Sequence, residues 1–555
     1  MGSAEHVDME PLKMSYCYRH GAGIEKGLTY GQMLENTAAR FPDNVAIWFG
    51  QTRLTYREFN KAVNRMSNAL LGLGLRRGDR AGILFPDWPE YCVALYACAR
   101  IGVVVTPMNP LYRKVEITNI LNHLEAKVFF IPSEWRDFSF VNLLGQIRSD
   151  IPHLEHVIVK GEERTSRMHD FDDLLKDQNS GNDYLSKYLR DDPIEADDLF
   201  EIAYTSGTTG APKGAAHSHN TRMLHSMGIA KRIGVSSKDI WLCMPPLFHT
   251  TGNCVVQHTV FLTGGTLVIM GRYSVGASLK ELERTRATIA VGVPTMFIDL
   301  MNRQEFGNTD VSSLRFALFT GAPMPKDVAL RIVNRFGSGI LQADGTTECG
   351  TGILSLPDAP VELTAESPGP PMDIGNELKI VDPKSGRIVP VNTLGEICIR
   401  GPNNLLCYYR NPEKTAEAVD ERGWFHYADL GTMDEWGNIR LKGRIKDMIV
   451  RGGENIYATD MEGILYTYPK VKEVQVVGYP DERLGEKTLA CIIPKESGQV
   501  ITREELENFM KDQTVKYLIP DMVMTMEDFP RTASGKVQKF RLKQFVEERQ
   551  KEEKK

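Results

Sequence analysis

The chain has 555 residues, 42% of them hydrophobic and 25% charged, with 48 glycines; this composition excludes collagen-like, low-complexity and disordered chains. At about 150 residues per domain, that length corresponds to roughly 3.7 domain equivalents. Sixty-six basic against 72 acidic residues leave a formal charge of −6, too little over this length to attract nucleic acid or an anionic membrane. The nine cysteines are scattered and form no Cys-x-x-Cys pair, which argues against a disulfide framework or a zinc ribbon and points to a reducing, cytoplasmic compartment. The start, Met1-Gly2-Ser3-Ala4-Glu5-His6, lacks a basic lead into an apolar run, and His6 stands where a myristoylation signal needs Ser or Thr. The most apolar stretch, 91–107, is split by Arg100 and falls short of the ~20 residues that span a bilayer, so no transmembrane segment is expected.

Early elements alternate between strand and helix. Residues 45–49 and 52–55 flank Gly50-Gln51 and predict a tight hairpin. Thr55-Tyr56-Arg57-Glu58 has capping-box spacing, and Phe59, Val63, Met66 and Leu70 then form one apolar helical stripe. Tyr91, Ala94, Leu95 and Cys98 repeat that pattern before the β-branched run 103–106, so the chain reads as α/β layers. Gly72-Leu73-Gly74-Leu75-Arg76-Arg77-Gly78 has one residue too many before its last glycine for a dinucleotide fingerprint and follows a helix; it reads as a helix end. A late boundary falls near 446, dividing the chain into 1–445 and 446–555. Beyond it, 474–477 and 489–493 predict a separate βα-like unit. Within this small domain Arg531, Lys536, Lys539, Arg541 and Lys543 form a basic run containing no acid. The tail 547–555 carries mixed charge and reads as a fraying helix end.

The densest chemical signal is Tyr204-Thr205-Ser206-Gly207-Thr208-Thr209-Gly210-Ala211-Pro212-Lys213-Gly214. Its glycines free backbone N–H groups, its hydroxyls add donors and Lys213 adds charge, a combination suited to polyphosphate. A Walker A loop is excluded, because Pro212 occupies a position that would require glycine. Four other motifs follow in order: Thr320-Gly321-Ala322-Pro323-Met324; Gln342-Ala343-Asp344-Gly345-Thr346-Thr347-Glu348; Asp429 with Arg444; and Pro530-Arg531-Thr532-Ala533-Ser534-Gly535-Lys536.

Together these motifs resemble the adenylate-forming enzymes: acyl- and aryl-CoA synthetases, luciferases and peptide-synthetase adenylation domains. The resemblance runs from about residue 30 to 545. It implies an α/β fold: a large multi-layer N-terminal domain, with αβαβα-like sheets and a small β-barrel, and a small mobile α+β C-terminal domain. It also implies an AMP-forming acid–thiol ligase. Such an enzyme converts a carboxylic acid and ATP to acyl-AMP and pyrophosphate, then transfers the acyl group to coenzyme A. The alternatives are an acyl-AMP ligase that loads a carrier-protein thiol and a nucleotide-binding protein without turnover.

Residue by residue, the resemblance gives ATP and AMP contacts to Thr205, Ser206, Gly207, Thr208, Thr209, Gly210 and Lys213, and to Gly321, Ala322 and Pro323. It extends them to Gln342, Ala343, Asp344, Gly345 and Thr346, and to Asp429 and Arg444 at the ribose. Thr347, Glu348 and Lys536 are the expected catalytic groups, and Glu348 is the Mg²⁺ ligand. Most relatives carry an adenine-stacking aromatic where this chain has Asp344. The acyl pocket is expected at His249, Val293, Pro294 and Thr295, and CoA at Arg451, Gly452 and Gly453; Lys446 is the hinge. No pocket residue among these supplies a cation for a second substrate charge, so medium-chain, alicyclic and aromatic monocarboxylates all fit. Cys349 reads as packing, because nothing beside it in sequence would support a thiolate. The expected partners are the acid, ATP and CoA, with no nucleic acid, and the chain is expected to be a monomer or homodimer.

Overall fold

The computed structural model describes residues 27–176, 184–205, 213–321, 326–451, 454–481, 483–531 and 537–553. Two eight-stranded sheets, both mainly parallel, form the large N-terminal domain. One runs from the hairpin Val45–Phe49 and Thr52–Thr55 across Thr266–Ile269, Ile240–Cys243, Ile289–Gly292 and Phe316–Thr320 to Gly339–Thr346 and Gly350–Leu354. In the other, Arg80–Ile83, Val104–Pro107, Leu199–Thr205, Lys213–Ser218 and Cys407–Tyr408 follow one another to one edge. Glu377–Val381, Gly395–Arg400, Phe425–Met433 and Ile439–Arg444 make a four-stranded antiparallel sheet.

The predicted elements appear for the predicted reasons. Thr55 caps the helix Tyr56–Gly72 with the reciprocal Glu58 bond in place, and Phe59, Val63, Met66 and Leu70 are fully buried. Gly50, at φ +54°, makes the hairpin turn between the first two strands. Past the helix end, Gly74 and Gly78 both have positive φ, confirming that this glycine cluster terminates a helix. Helix Pro89–Arg100 is buried at every residue except Glu90, which explains the long apolar stretch without a membrane. Among the described residues, no helix is long and apolar enough to cross a bilayer.

The smaller C-terminal domain holds five strands, including Ile449–Arg451, Gly485–Pro494 and Met522–Thr525. In the expected βα-like unit the two predicted strands pair as a long antiparallel hairpin, Val471–Asp481 against Gly485–Pro494, and helix Arg503–Met510 then leads to Met522–Thr525, parallel to the second arm. Gly485, where the second arm begins, sits at φ +80°. The tail is helical over Lys539–Glu553.

Candidate functional site

The site gathers at the carboxyl ends of parallel strands, where open α/β sheets bind ligands. Phe316–Thr320 and Gly339–Thr346 run side by side with Thr320 opposite Ala343, which brings Gly321, at φ +86°, beside the Asp344 segment. Gln342 and Ala343 are buried, whereas Asp344, Gly345, Thr346, Thr347 and Glu348 are half-buried at the strand end. Gly345 admits no side chain: an added Cβ would lie 1.8 Å from the Gly350 carbonyl oxygen. The expected Asp344 carboxylate is thus positioned at the strand end, and its charge helps raise the pKa of Tyr427, whose main perturbation is burial.

Thr205 and Lys213, the described residues on either side of the expected phosphate loop, pair across the antiparallel strands Leu199–Thr205 and Lys213–Ser218. Ser206, Gly207, Thr208, Thr209 and Gly210 lie outside the described residues, as do Ala322, Pro323, Gly452, Gly453 and Lys536. The segment ending in Glu348 is clamped from several sides. His217 Nε2 donates to the Thr347 carbonyl at 3.0 Å, and burial keeps this imidazole neutral. The Glu348 backbone N–H donates to Thr346 Oγ1 at 3.2 Å, and the Leu405 N–H donates to the Glu348 carbonyl at 2.6 Å. The Tyr408 hydroxyl donates to Glu348 Oε1 at 2.7 Å.

Asp429 and Arg444 face each other across paired strands, with Arg444 Nε 3.4 Å from Asp429 Oδ1. The residue before Asp429, Ala428, sits at φ +58°, a strained conformation for a residue with a side chain. Lys446 follows in a single tight turn, Ile445–Asp447; desolvation and the adjacent Arg444 guanidinium hold its ammonium below the usual lysine value. Two bonds span this turn: Lys442 Nζ to Asp460 Oδ1 at 2.8 Å and Thr459 Oγ1 to the Lys442 carbonyl at 2.6 Å.

A cavity of about 520 Å³ separates the two domains. Val293 and Thr295 line it, with Met296, Phe248 and Trp135 supplying apolar surface. Pro294 is buried in the first turn of helix Pro294–Asn302, and His249 follows the lining Phe248, its Nδ1 accepting from the Thr251 N–H at 3.2 Å. From the small domain come Lys472, Glu473, Asp528 and Arg531. Sequence reasoning missed Arg136 and Arg272, which also line it and add cations to a wall whose expected residues carry none. They lie 136 positions apart, with no shared motif to signal their meeting. Asp87 sits on the same wall, accepting the Leu247 N–H at 2.7 Å, and burial raises its carboxyl to about 7.

Part of the basic run near the C-terminus is tied into the small domain. Arg531 pairs with Glu473 at 2.5 Å and Lys539 with Glu462 at 2.8 Å, so these two cations also hold the small domain together. Arg451 is likewise bound to Asp521, at 2.6 Å. Cys349 packs in the core with its thiol pushed up to about 11 by burial, in keeping with a packing role. Glu396, Cys398 and His426 meet on neighbouring strands, where His426 Nδ1 is 2.9 Å from Glu396 Oε2, a grouping hidden from any spacing rule.

Residues 34–409 match the family model described as AMP-binding enzyme, and 460–536 match the AMP-binding enzyme C-terminal domain. The chain belongs to the AMP-binding enzyme family. The Medium-chain acyl-CoA ligase ACSF2, mitochondrial, of Danio rerio is 33% identical, the match covering 98% of this chain and 93% of that one. The Medium-chain fatty-acid–CoA ligase of Escherichia coli (strain K12) is also 33% identical, over 92% and 89%. Among solved structures, the anthranilate CoA ligase AuaEII in complex with anthranoyl-AMP superimposes with a TM-score of 0.83 at 26% identity, covering 94% of this chain and 97% of that one.

Proposed function

We propose that this chain is an ATP-dependent acyl-CoA ligase for a medium-chain monocarboxylic acid. The observation that carries this reading is the convergence at one sheet edge of the Thr205/Lys213 pair and the Thr347-Glu348 segment. The domain-spanning cavity beside Val293 and Thr295 has the volume of a small-ligand site. The curated relatives named for medium-chain acids support the choice of substrate.

A carboxylate resists nucleophiles because it is negative and its oxygen leaves badly; adenylation corrects both faults. The substrate carboxylate attacks the α-phosphorus of ATP, the bond to the β-phosphate oxygen breaks, and pyrophosphate leaves with acyl-AMP behind it. Lys213 and the loop N–H groups hold the phosphates, Thr347 contacts the α-phosphate and Asp429 accepts from the ribose hydroxyls. Lys536 bridges acid and phosphate, neutralising the charge that concentrates as two anions meet. The carboxylate and hydroxyl oxygens of Glu348 and Thr346 suit a hard cation, and Mg²⁺ held at Glu348 supplies further charge neutralisation to the phosphates.

In the second half-reaction the CoA thiolate attacks the acyl carbon and AMP leaves. We assign the domain boundary to 445/446, with rotation about Lys446 withdrawing Lys536 and bringing Gly452-Gly453 inward. One cleft serving two steps calls for such a motion. The scattered cysteines favour a reducing, cytoplasm-like compartment.

AMP release with CoA over a panel of monocarboxylates of increasing length, aromatic acids and ω-dicarboxylates tests the substrate. Highest kcat/KM is expected for medium-chain monocarboxylates. A preference for dicarboxylates would overturn it, assigning Arg136 and Arg272 to a second carboxylate.

A further inference from the structure

Tyr408 lies in no motif singled out above, yet it touches two of them. Its strand, Cys407–Tyr408, adds to the edge of Lys213–Ser218 with Tyr408 opposite Ala215, and the Tyr409 N–H donates to the Gly214 carbonyl at 2.7 Å. The ring is therefore pinned to the strand that begins with Lys213, whose Nζ lies 5.2 Å from the ring centroid, within cation–π range. The hydroxyl end reaches Glu348 Oε1 at 2.7 Å. The side chain is 5% exposed, and its backbone N–H is held by Thr415 Oγ1 at 2.9 Å. One rigid ring with two torsions thus spans from the phosphate-loop ammonium to the carboxylate.

We propose that Tyr408 is a positioning residue that sets the distance and orientation between Lys213 and Glu348, and so the affinity of the site for a divalent cation–ATP complex. Glu348 alone could adopt several rotamers; a donor on Oε1 selects one and leaves Oε2 for a cation. The ring face confines Lys213 to the phosphate side of that carboxylate. Tyr408 touches neither reacting atom, and the proposal rests on the acyl-CoA ligase reading given above.

The test is a comparison of wild type, Tyr408→Phe, Tyr408→Leu, Glu348→Gln and the Phe/Gln double variant, in the full chain. The first readout is Mn²⁺ binding to the protein–ATP complex, from the electron paramagnetic resonance signal of free Mn²⁺, which needs no turnover. The second is the Mg²⁺ concentration giving half-maximal acid-dependent pyrophosphate exchange. A hydrogen bond to a charged group lost from this site should weaken Mn²⁺ binding and raise the Mg²⁺ half-saturation about tenfold in Tyr408→Phe. Tyr408→Leu should additionally raise the KM for ATP at saturating Mg²⁺, because Lys213 loses its support. In the Glu348→Gln background the Tyr408→Phe effect on Mn²⁺ should vanish, since the hydroxyl acts through that carboxylate. Unchanged Mn²⁺ and Mg²⁺ responses in a folded Tyr408→Phe, or an equal Mn²⁺ effect with and without Glu348, would overturn the proposal. Failure of wild type to exchange pyrophosphate with any acid would instead overturn the ligase reading, while the Mn²⁺–ATP arm would still decide the role of Tyr408.

Discussion

Glu201 offers a sharp test of how a buried ion pair holds the strand that ends at Thr205. It sits in strand Leu199–Thr205, four residues before Thr205, and its Oε2 accepts from Arg222 Nε at 2.6 Å while its Oε1 accepts from Asn253 at 2.6 Å. The two charged side chains are 1% and 2% exposed, and both Arg222 Nη atoms are buried without a hydrogen-bond partner among the described residues. The carboxylate is therefore the near counter-charge for a deeply desolvated guanidinium. Glu201→Gln keeps the shape and removes that charge, which should cost about 3–5 kcal/mol, the usual consequence of stranding one partner of a buried pair. That is a large share of the 5–15 kcal/mol typical of folded proteins. Thermal and chemical denaturation of Glu201→Gln, Arg222→Met and a Glu201→Leu/Arg222→Met double variant measure it. The double variant should be more stable than either single one, because no charge is left unpaired. A Glu201→Gln cost under about 1 kcal/mol, or a double variant as unstable as the sum of the single ones, would refute the reasoning.

Four histidines, His217, His219, His225 and His258, are buried, and burial lowers the pKa of each, to about 3 for His219 and His225. The unfolded chain takes up these protons near pH 6.5 and the folded chain does not, so stability is full above that pH and falls as pH drops below it. Each histidine contributes up to about 1.4 kcal/mol per pH unit. Melting temperatures at pH 7.5, 6.5 and 5.5 should show this decline, and His225→Leu should flatten it; a pH-independent melt would contradict the account. For Lys446→Pro, which stiffens the turn next to the Lys442–Asp460 bond, CoA transfer from supplied acyl-AMP should fall at least tenfold while acyl-AMP formation survives. Rapid single-turnover assays of each half-reaction check this, and intact transfer would remove Lys446 as the hinge.

Local rules made the Thr55–Glu58 cap and the Gly50 hairpin legible, because hydrogen bonds between near neighbours specify them. Motif order made the family legible as a resemblance, not as geometry. Tyr408, Arg136 and Arg272 were not legible: strand addition and the meeting of two distant loops of the large domain bring them to the site, and neither leaves a mark at short sequence distance. Helix His219–Ile233 shows another limit. Its histidines, Asn220 and Arg222 look like a solvated face but are buried between the sheets, where Arg222 finds Glu201. Periodicity counts apolar positions and cannot see a buried polar network. The strands 474–477 and 489–493 were legible from their β-branched runs, whereas their antiparallel pairing was not, because period alone does not say which strands pair.

The most direct test of the central claim is exchange of labelled pyrophosphate into ATP without CoA, followed by thioester formation when CoA is added. Exchange should depend on a medium-chain acid, and Lys536→Ala should nearly abolish it while still converting supplied acyl-AMP and CoA to thioester. Exchange independent of acid, or equal loss of both steps in Lys536→Ala, would contradict the account.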